Sequence, residues 1–321
     1  MNDSETKSSG NLRVQKHHDV TWIDVQSPDK DSIAKLEKDF KLDPIHLSEC
    51  TQRVQHTQVD REFGYLFLIV HFPILNRESD KISVGQLGIF LGRKFLVTIH
   101  SSVSPATNIL FNACEDQTQK ADENFKHGPG MLLCNLIKQQ LIEISGMTDH
   151  VTGELDDIED LVFGNTQSDA QIIGRLRQKI IRLRRIIGPK RLVLGDLAEQ
   201  IDSFTKHNLS KQFALNTKLV NKLWEEIEEA KETVEIYKDA DFTTSTERTN
   251  GILAVLTILF TLSIPITVLG TLYGMNVPLP GGIETGAWDF LGKYTTFGII
   301  AAVSAWSALM MYTYFKKKNW L

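Results

Sequence analysis

Gly251-Ile-Leu-Ala-Val-Leu-Thr-Ile-Leu-Phe-Thr-Leu-Ser-Ile-Pro-Ile-Thr-Val-Leu-Gly-Thr-Leu-Tyr-Gly-Met275 is a run of 25 residues without a charged side chain, and it leads straight into Asn276. A second uncharged run, Tyr294 to Phe315, follows a polar connection, and the chain closes with Lys316-Lys317-Lys318-Asn319-Trp320-Leu321. As helices rising about 1.5 Å per residue, both runs are long enough to cross about 30 Å of hydrocarbon. The reading is a membrane protein whose spans form one hairpin at the C-terminal end. Tyr273-Gly274-Met275-Asn276 then falls where the first span leaves the membrane.

Working outward, most of the 321 residues precede this hairpin and are polar, and the net charge is −5. An acidic balance suggests no nucleic-acid partner, and the hairpin makes the lipid bilayer an expected one. Met1 to Val20 is polar and lacks the apolar core of a signal peptide, which places the N-terminal part in the cytosol. Lys316, Lys317 and Lys318 put the C-terminus on the same side. Both termini are therefore expected to be cytoplasmic, in a multi-pass protein of the cell membrane. Cys50, Cys114 and Cys134 are widely spaced and read as reduced, structural thiols.

Three regions follow: a disordered tail over 1–19, a cytosolic domain over 20–250, and a transmembrane hairpin with a basic tail over 251–321. The domain begins α/β. Val20 to Val25, Gly64 to Phe72, Val84 to Leu91 and Lys94 to His100 read as strands, with a hairpin turn at Gly92-Arg93. Asp29 to Phe40 and a short segment opened by Asp43-Pro44 read as helices. From Pro105 the pattern is helical. Leu133, Leu136, Ile137, Leu141, Ile144 and Met147 recur at spacings of three and four. Phe163-Gly164-Asn165 and His207-Asn208-Leu209 break the pattern. From Ser210 to Met275, 66 residues, one helix of about 100 Å is expected, a stalk continuous with the first span.

Charge is sorted along these helices. Asp169–Phe204 is rich in Arg, and the stalk carries Glu225, Glu226, Glu228, Glu229, Glu232 and Glu235. A tight turn near Asn208 makes the helices antiparallel, and equal counting from it sets Arg182 near Val234 and Arg185 near Lys231. Interhelical ion pairing is the favoured reading over two solvated faces.

At the mouth, Gly274 can end a helix through a positive φ, and Asn276 offers a neutral amide oxygen. Alone, Asn276 is a helix cap. Repeated around an axis, it is a ring of acceptors suited to hydrated Mg²⁺, which dehydrates reluctantly. Thr267, Ile264, Phe260, Leu256 and Leu253 lie on one helical face. That stripe is a helix contact or, inside a ring of helices, an apolar pore with one polar position at Thr267.

The signature Tyr273-Gly274-Met275-Asn276 resembles that of the CorA-type divalent-cation (magnesium/cobalt) transporters. Pro265, Glu247-Arg248-Thr249-Asn250 ahead of the span and the closing Tyr314-Phe315-Lys-Lys-Lys-Asn-Trp-Leu support the resemblance. Weaker similarity runs through Leu42-Asp43-Pro44, Tyr65-Leu66-Phe67 and Ile187-Gly188-Pro189. The resemblance implies a funnel-shaped homopentamer, an α+β cytosolic domain and long helices. The first transmembrane helix would line the pore, with Gly274, Met275 and Asn276 as selectivity filter and Lys316, Lys317 and Lys318 at the cytosolic mouth. Mg²⁺, Co²⁺ or Ni²⁺ would be the cargo, with no catalytic cofactor.

The chain also departs from the family pattern. Val277-Pro278-Leu279-Pro280-Gly281-Gly282 replaces the usual Met-Pro-Glu-Leu, leaving Glu284 and Asp289 as the nearest loop acids. Leu215 to Lys218 carries no acid where some relatives hold a regulatory Mg²⁺, so Glu78 and Asp80 are the remaining candidates for such a site. Gly281-Gly282-Ile283 is similar to the loop of a related Zn²⁺-transporting branch. A non-conducting membrane-anchored interaction protein is the other alternative. An enzyme is not expected: there is no phosphate loop or nucleophile motif, and His17-His18 falls in the tail.

Overall fold

The computed structural model describes residues 5–9, 11–52, 57–76, 78–163, 170–205, 208–275, 279–281, 286, 290, 292 and 294–318. It divides into two compact units, Met1–Asp239 and Ala240–Leu321.

The first unit is built on seven strands: β1 (Glu5–Ser9), β2 (Leu12–His17), β3 (Val20–Gln26), β4 (Gln58–Glu62), β5 (Tyr65–Asn76), β6 (Lys81–Gly92) and β7 (Phe95–His100). Their order across the sheet is β1-β2-β3-β7-β6-β5-β4. Only β3 and β7 run parallel, with Trp22 opposite Leu96 and Asp24 opposite Thr98. The β6–β7 hairpin forms as the sequence predicts, but its turn is Arg93-Lys94, one residue beyond the expected Gly92-Arg93, because Gly92 still belongs to β6.

One face of the sheet packs Ile23, Val25, Phe67, Ile69, Phe90, Val97 and Ile99 against Leu36, Leu42 and Leu47. Those leucines come from or adjoin α1 (Lys30–Phe40) and α2 (Pro44–Thr51). Asp29 caps α1 by accepting from the Ser32 N–H at 2.8 Å, and Asp43 caps α2 by accepting from the Ile45 N–H at 2.7 Å. Gly88 lets α2 approach closely, since a Cβ there would sit 2.2 Å from Cys50 Sγ. On the opposite side Trp22 packs against Phe111 with the rings tilted by 58° and centroids 4.9 Å apart. With both faces covered, β5 is buried from Tyr65 to Pro73 and reads as a continuous apolar run rather than an alternating one.

Helices follow: α3 (Pro105–Asp116), α4 (Thr118–Phe125), α5 (Pro129–Phe163), α6 (Ala170–Gln200), a 3₁₀ turn Ile201–Phe204, and α7 (Ser210–Tyr273). Asn216 on α7 donates to the Cys134 carbonyl of α5 at 3.0 Å. Trp224 packs against Gly188, where a Cβ would come within 2.9 Å of its ring. The guanidinium carbons of Arg184 and Arg191 lie 5.1 Å from its ring centre, one helical turn to either side.

Two further expectations need correction. Residues 5–9 and 12–17, assigned to a disordered tail over 1–19, form strands β1 and β2, because Leu12 and Val14 alternate with Arg13 and Gln15, β2 pairs along β3, and β1 pairs along β2. The α6–α7 register also differs from equal counting about Asn208. Arg177 bonds Glu235, Arg184 bonds Glu228, and Arg191 reaches Asn221 at 2.9 Å. Glu228 is thus the partner of Arg184, not Glu232, because the 3₁₀ turn makes the connection asymmetric. The favoured interhelical ion pairing is itself present.

The second unit holds the rest of α7 and helix α8 (Thr295–Lys317). Both helices are long and apolar enough to cross a membrane. Within the described residues of this unit Ile258, Thr295, Ser304 and Phe315 are buried, while Leu253, Leu256, Phe260 and Ile264 are exposed. So large an exposed apolar surface marks contact with lipid or protein.

Candidate functional site

α7 runs unbroken through Pro265 to Tyr273. Proline has no N–H, so the helix ladder skips the carbonyl of Thr261 one turn back. The hydroxyls on this face are turned inward on their own helix. Thr257 donates to Leu253 O at 2.8 Å, Thr261 to Thr257 O at 2.7 Å, and Thr267 to Ser263 O at 2.9 Å. Each satisfies its donor without a partner helix and keeps lone pairs outward, which suits hydrocarbon surroundings. Thr267, Ile264, Phe260, Leu256 and Leu253 are all exposed along it.

At the end of α7 the Gly274 N–H is shared between Gly270 O at 3.0 Å and Thr271 O at 3.2 Å, and Met275 N–H bonds Leu272 O at 3.3 Å. The helix therefore tightens at its end. Gly274 is not among the positive-φ glycines, which corrects the expected left-handed ending. Asn276, Glu284 and Asp289 lie outside the described residues, as does the Phe163-Gly164-Asn165 turn from Gly164 on. Tyr273, to which the sequence assigns no separate role, donates its phenol to Pro280 O at 3.1 Å. Thr296 of α8 donates to Gly281 O at 3.3 Å, where Gly281 takes φ 75°. These bonds tie part of the connecting segment to both helices. Lys316 and Lys317 close α8, where cations complement the helix dipole, and the Lys318 N–H caps it on Tyr314 O at 3.1 Å.

In the first unit, Asp80 and Glu78 occupy the β5–β6 turn. Asp80 has φ 51° and accepts from Lys179, whose ammonium also reaches Glu154 at 2.6 Å. Burial opposes the charge on Lys179, but the two carboxylates hold its pKa above the usual lysine value. His150 Nε2 lies 3.0 Å from the same Glu154 oxygen. Asp80, His150 and Glu154 present ligand atoms within 4.8 Å of one another. Glu78 is not in that group; its backbone N–H donates to Asn76 Oδ1 at 3.0 Å. Further along α5, Glu159 accepts from Tyr237 at 2.9 Å. Burial, followed by that bond, pushes the Tyr237 phenol up to about 12.

A buried polar network in the sheet has no counterpart in the sequence reading. Asp24 is fully buried and accepts from Thr98 at 2.6 Å and Arg13 at 3.1 Å, with His100 Nε2 at 3.2 Å. Burial alone would raise its pKa, yet His100, Thr98 and Arg13 hold it below the usual carboxylate range. Its complete burial makes it a structural brace. The three cysteines are buried and free; burial pushes the thiols of Cys114 and Cys134 up to about 11, and that of Cys50 higher. They are inert, as expected.

The chain thus joins an α/β domain to two helices long and apolar enough to cross a membrane, the first of them running on from the domain's long helix. The chain belongs to the family described as CorA-like Mg²⁺ transporter protein, whose model matches residues 17–317. Among its relatives, YfjQ of Bacillus subtilis is 25% identical over 303 residues, covering 93% of this chain and 89% of its own. The cobalt/magnesium transport protein CorA of Thermotoga maritima is 21% identical over 308 residues, covering 94% and 83%. The complete structure of the CorA magnesium transporter from Methanocaldococcus jannaschii superposes with a TM-score of 0.79 at 20% identity, over 99% of this chain and 98% of that one. The fold is that of full-length CorA, and the family is one of ion transporters, not of catalysts.

Proposed function

We propose that five copies of this chain assemble around an axis and conduct Mg²⁺, with Co²⁺ or Ni²⁺ as further cargo, across the cytoplasmic membrane. The first span of α7 lines the pore. The observation that carries this reading is the uncharged face of Leu253, Leu256, Phe260, Ile264 and Thr267, exposed on a helix that ends at the Tyr273-Gly274-Met275-Asn276 signature. Gly274, Met275 and a ring of Asn276 amides form the outer filter. Neutral oxygens accept from the ion's water shell without trapping the ion as carboxylates would. Below it, Thr267 and the apolar face pass the ion and close by dewetting. Lys316, Lys317 and Lys318 sit at the cytosolic mouth, with both termini in the cytoplasm. Glu78 and Asp80 serve regulation; an ion bound at Asp80 would displace Lys179.

The test is the initial rate of Mg²⁺ uptake into liposomes for wild type and Asn276→Ala, with oligomer mass measured on the same sample. The alanine variant keeps the oligomer and nearly abolishes flux. Equal rates would reduce Asn276 to a helix cap, and a dimer would remove the pore. Because Gly281-Gly282-Ile283 resembles a zinc-transporting loop, Zn²⁺ uptake is measured alongside; Zn²⁺ flux exceeding Mg²⁺ flux would reassign the cargo.

A further inference from the structure

His17 and His18 are consecutive, yet their rings meet. Neighbours in a strand point to opposite faces. Here His17 ends β2 and His18 enters the turn to β3 with φ 51°, a left-handed conformation uncommon for a residue with a side chain. That turn brings the two imidazoles to 4.5 Å between centroids, edge to face. Asp122, on α4, completes the group from 105 residues away in sequence: His17 Nε2 lies 2.5 Å and His18 Nε2 3.3 Å from the same Asp122 oxygen. All three donor atoms lie within 4.8 Å of one another. Phe125, one turn beyond Asp122, holds the His17 ring edge-on at 5.8 Å.

We propose that His17, His18 and Asp122 form a binding site for a divalent transition-metal ion of the zinc class. Two imidazole nitrogens and one carboxylate oxygen match the donor preference of Zn²⁺, Co²⁺ and Ni²⁺ and disfavour Mg²⁺, which takes oxygen. On a tetrahedral ion with bonds of about 2.0–2.1 Å, donors stand about 3.3 Å apart. The His18–Asp122 separation already has that value, and the His17 ring retreats slightly as the metal replaces the hydrogen shared with Asp122. Among the described residues the buried His17 Nδ1 has no hydrogen-bond partner, so Nε2 is the ring nitrogen that faces Asp122 and His18. The side chains of His18 and Asp122 are 58% and 53% exposed, so an ion enters directly from solvent and the remaining coordination positions stay open to water. The site belongs to the first unit, and its proposal does not rest on the proposed pore.

The test titrates the full-length chain in detergent micelles with Co²⁺ alone and follows its visible absorption. Hydrated Co²⁺ in a pore gives weak bands, whereas nitrogen ligation in a low-coordinate site gives strong ones. The wild type is expected to show strong bands saturating at about one Co²⁺ per chain and quenched by Zn²⁺. His18→Ala and Asp122→Asn should each weaken that binding by at least about tenfold, with the thermal melt and Mg²⁺ uptake unchanged. A wild-type spectrum of hydrated Co²⁺ only, or wild-type affinity in either variant, overturns the proposal.

Discussion

Lys190 is buried inside the helical layer, its ammonium 2.7 Å from Gln140 Oε1 on α5. Burial, opposed only in part by Glu143, brings its pKa down to about 7. The unfolded chain holds the Lys190 proton up to the ordinary lysine value, so between about pH 7 and that value it binds more protons than the folded chain. Stability should therefore rise with pH across this window, by up to roughly 1 kcal/mol per pH unit. Glu143, raised by burial, acts in the opposite sense at lower pH: its contribution is lost as pH rises through its folded pKa. Lys190→Met should raise the melting temperature at pH 7 and flatten its rise toward pH 9. Thermal melts of the detergent-solubilised chain at pH 7, 8 and 9 check this, and parallel curves for both proteins would refute it.

The Lys179 ammonium serves as a tethered cation between Asp80 and Glu154. Its side chain is 3% exposed, while Asp80 is 56% exposed and well solvated, so the pair is only partly shielded from water. Lys179→Met leaves two carboxylates facing each other and should cost roughly 1–2 kcal/mol. His150 then completes three donors with no lysine among them. Millimolar Mn²⁺ should stabilise the variant more than wild type, where an ion at this position must first displace Lys179. A melt in which Mn²⁺ acts equally on both would show that the cation position is not formed by these side chains.

The strands from β5 to β7 and the long helices were legible because burial imposes an apolar run or a period on them. Asp43-Pro44 was legible because a cap and a first-turn proline are local chemistry. Strand β2 was not: it carries Arg13, Gln15 and His17, polar residues whose partners Asp24, Phe111 O and Asp122 lie 11, 96 and 105 residues away. The Asp24 network and the His17–His18–Asp122 group were hidden for the same reason. The α6–α7 ion pairing followed from charge segregation, but its register depended on a 3₁₀ turn that no pattern announced. The apolar stripe of α7 could be assigned to one face, whereas what covers that face depends on other molecules.

Gly274 offers the last prediction. Its N–H is held by Gly270 O and Thr271 O, and its φ is not positive, so a side chain is not strained there, although a Cβ would sit 3.2 Å from Gly270 O and asks the last turn to give by a few tenths of an ångström. Alanine should therefore leave the end of α7 intact. If five helices converge at this point, as the proposed pore requires, a methyl group on each would narrow the mouth beside the Asn276 ring. Gly274→Ala is thus expected to keep wild-type oligomer mass and melting temperature while lowering Mg²⁺ uptake at least about tenfold, a loss of transport not caused by unfolding. Gly270→Ala, one turn earlier on the same helix, is the comparison, since a methyl there meets nothing within 4 Å among the described residues. Uptake rates in liposomes for the two variants decide the matter. Equal, near-wild-type rates in both would mean that Gly274 does not face the ion path.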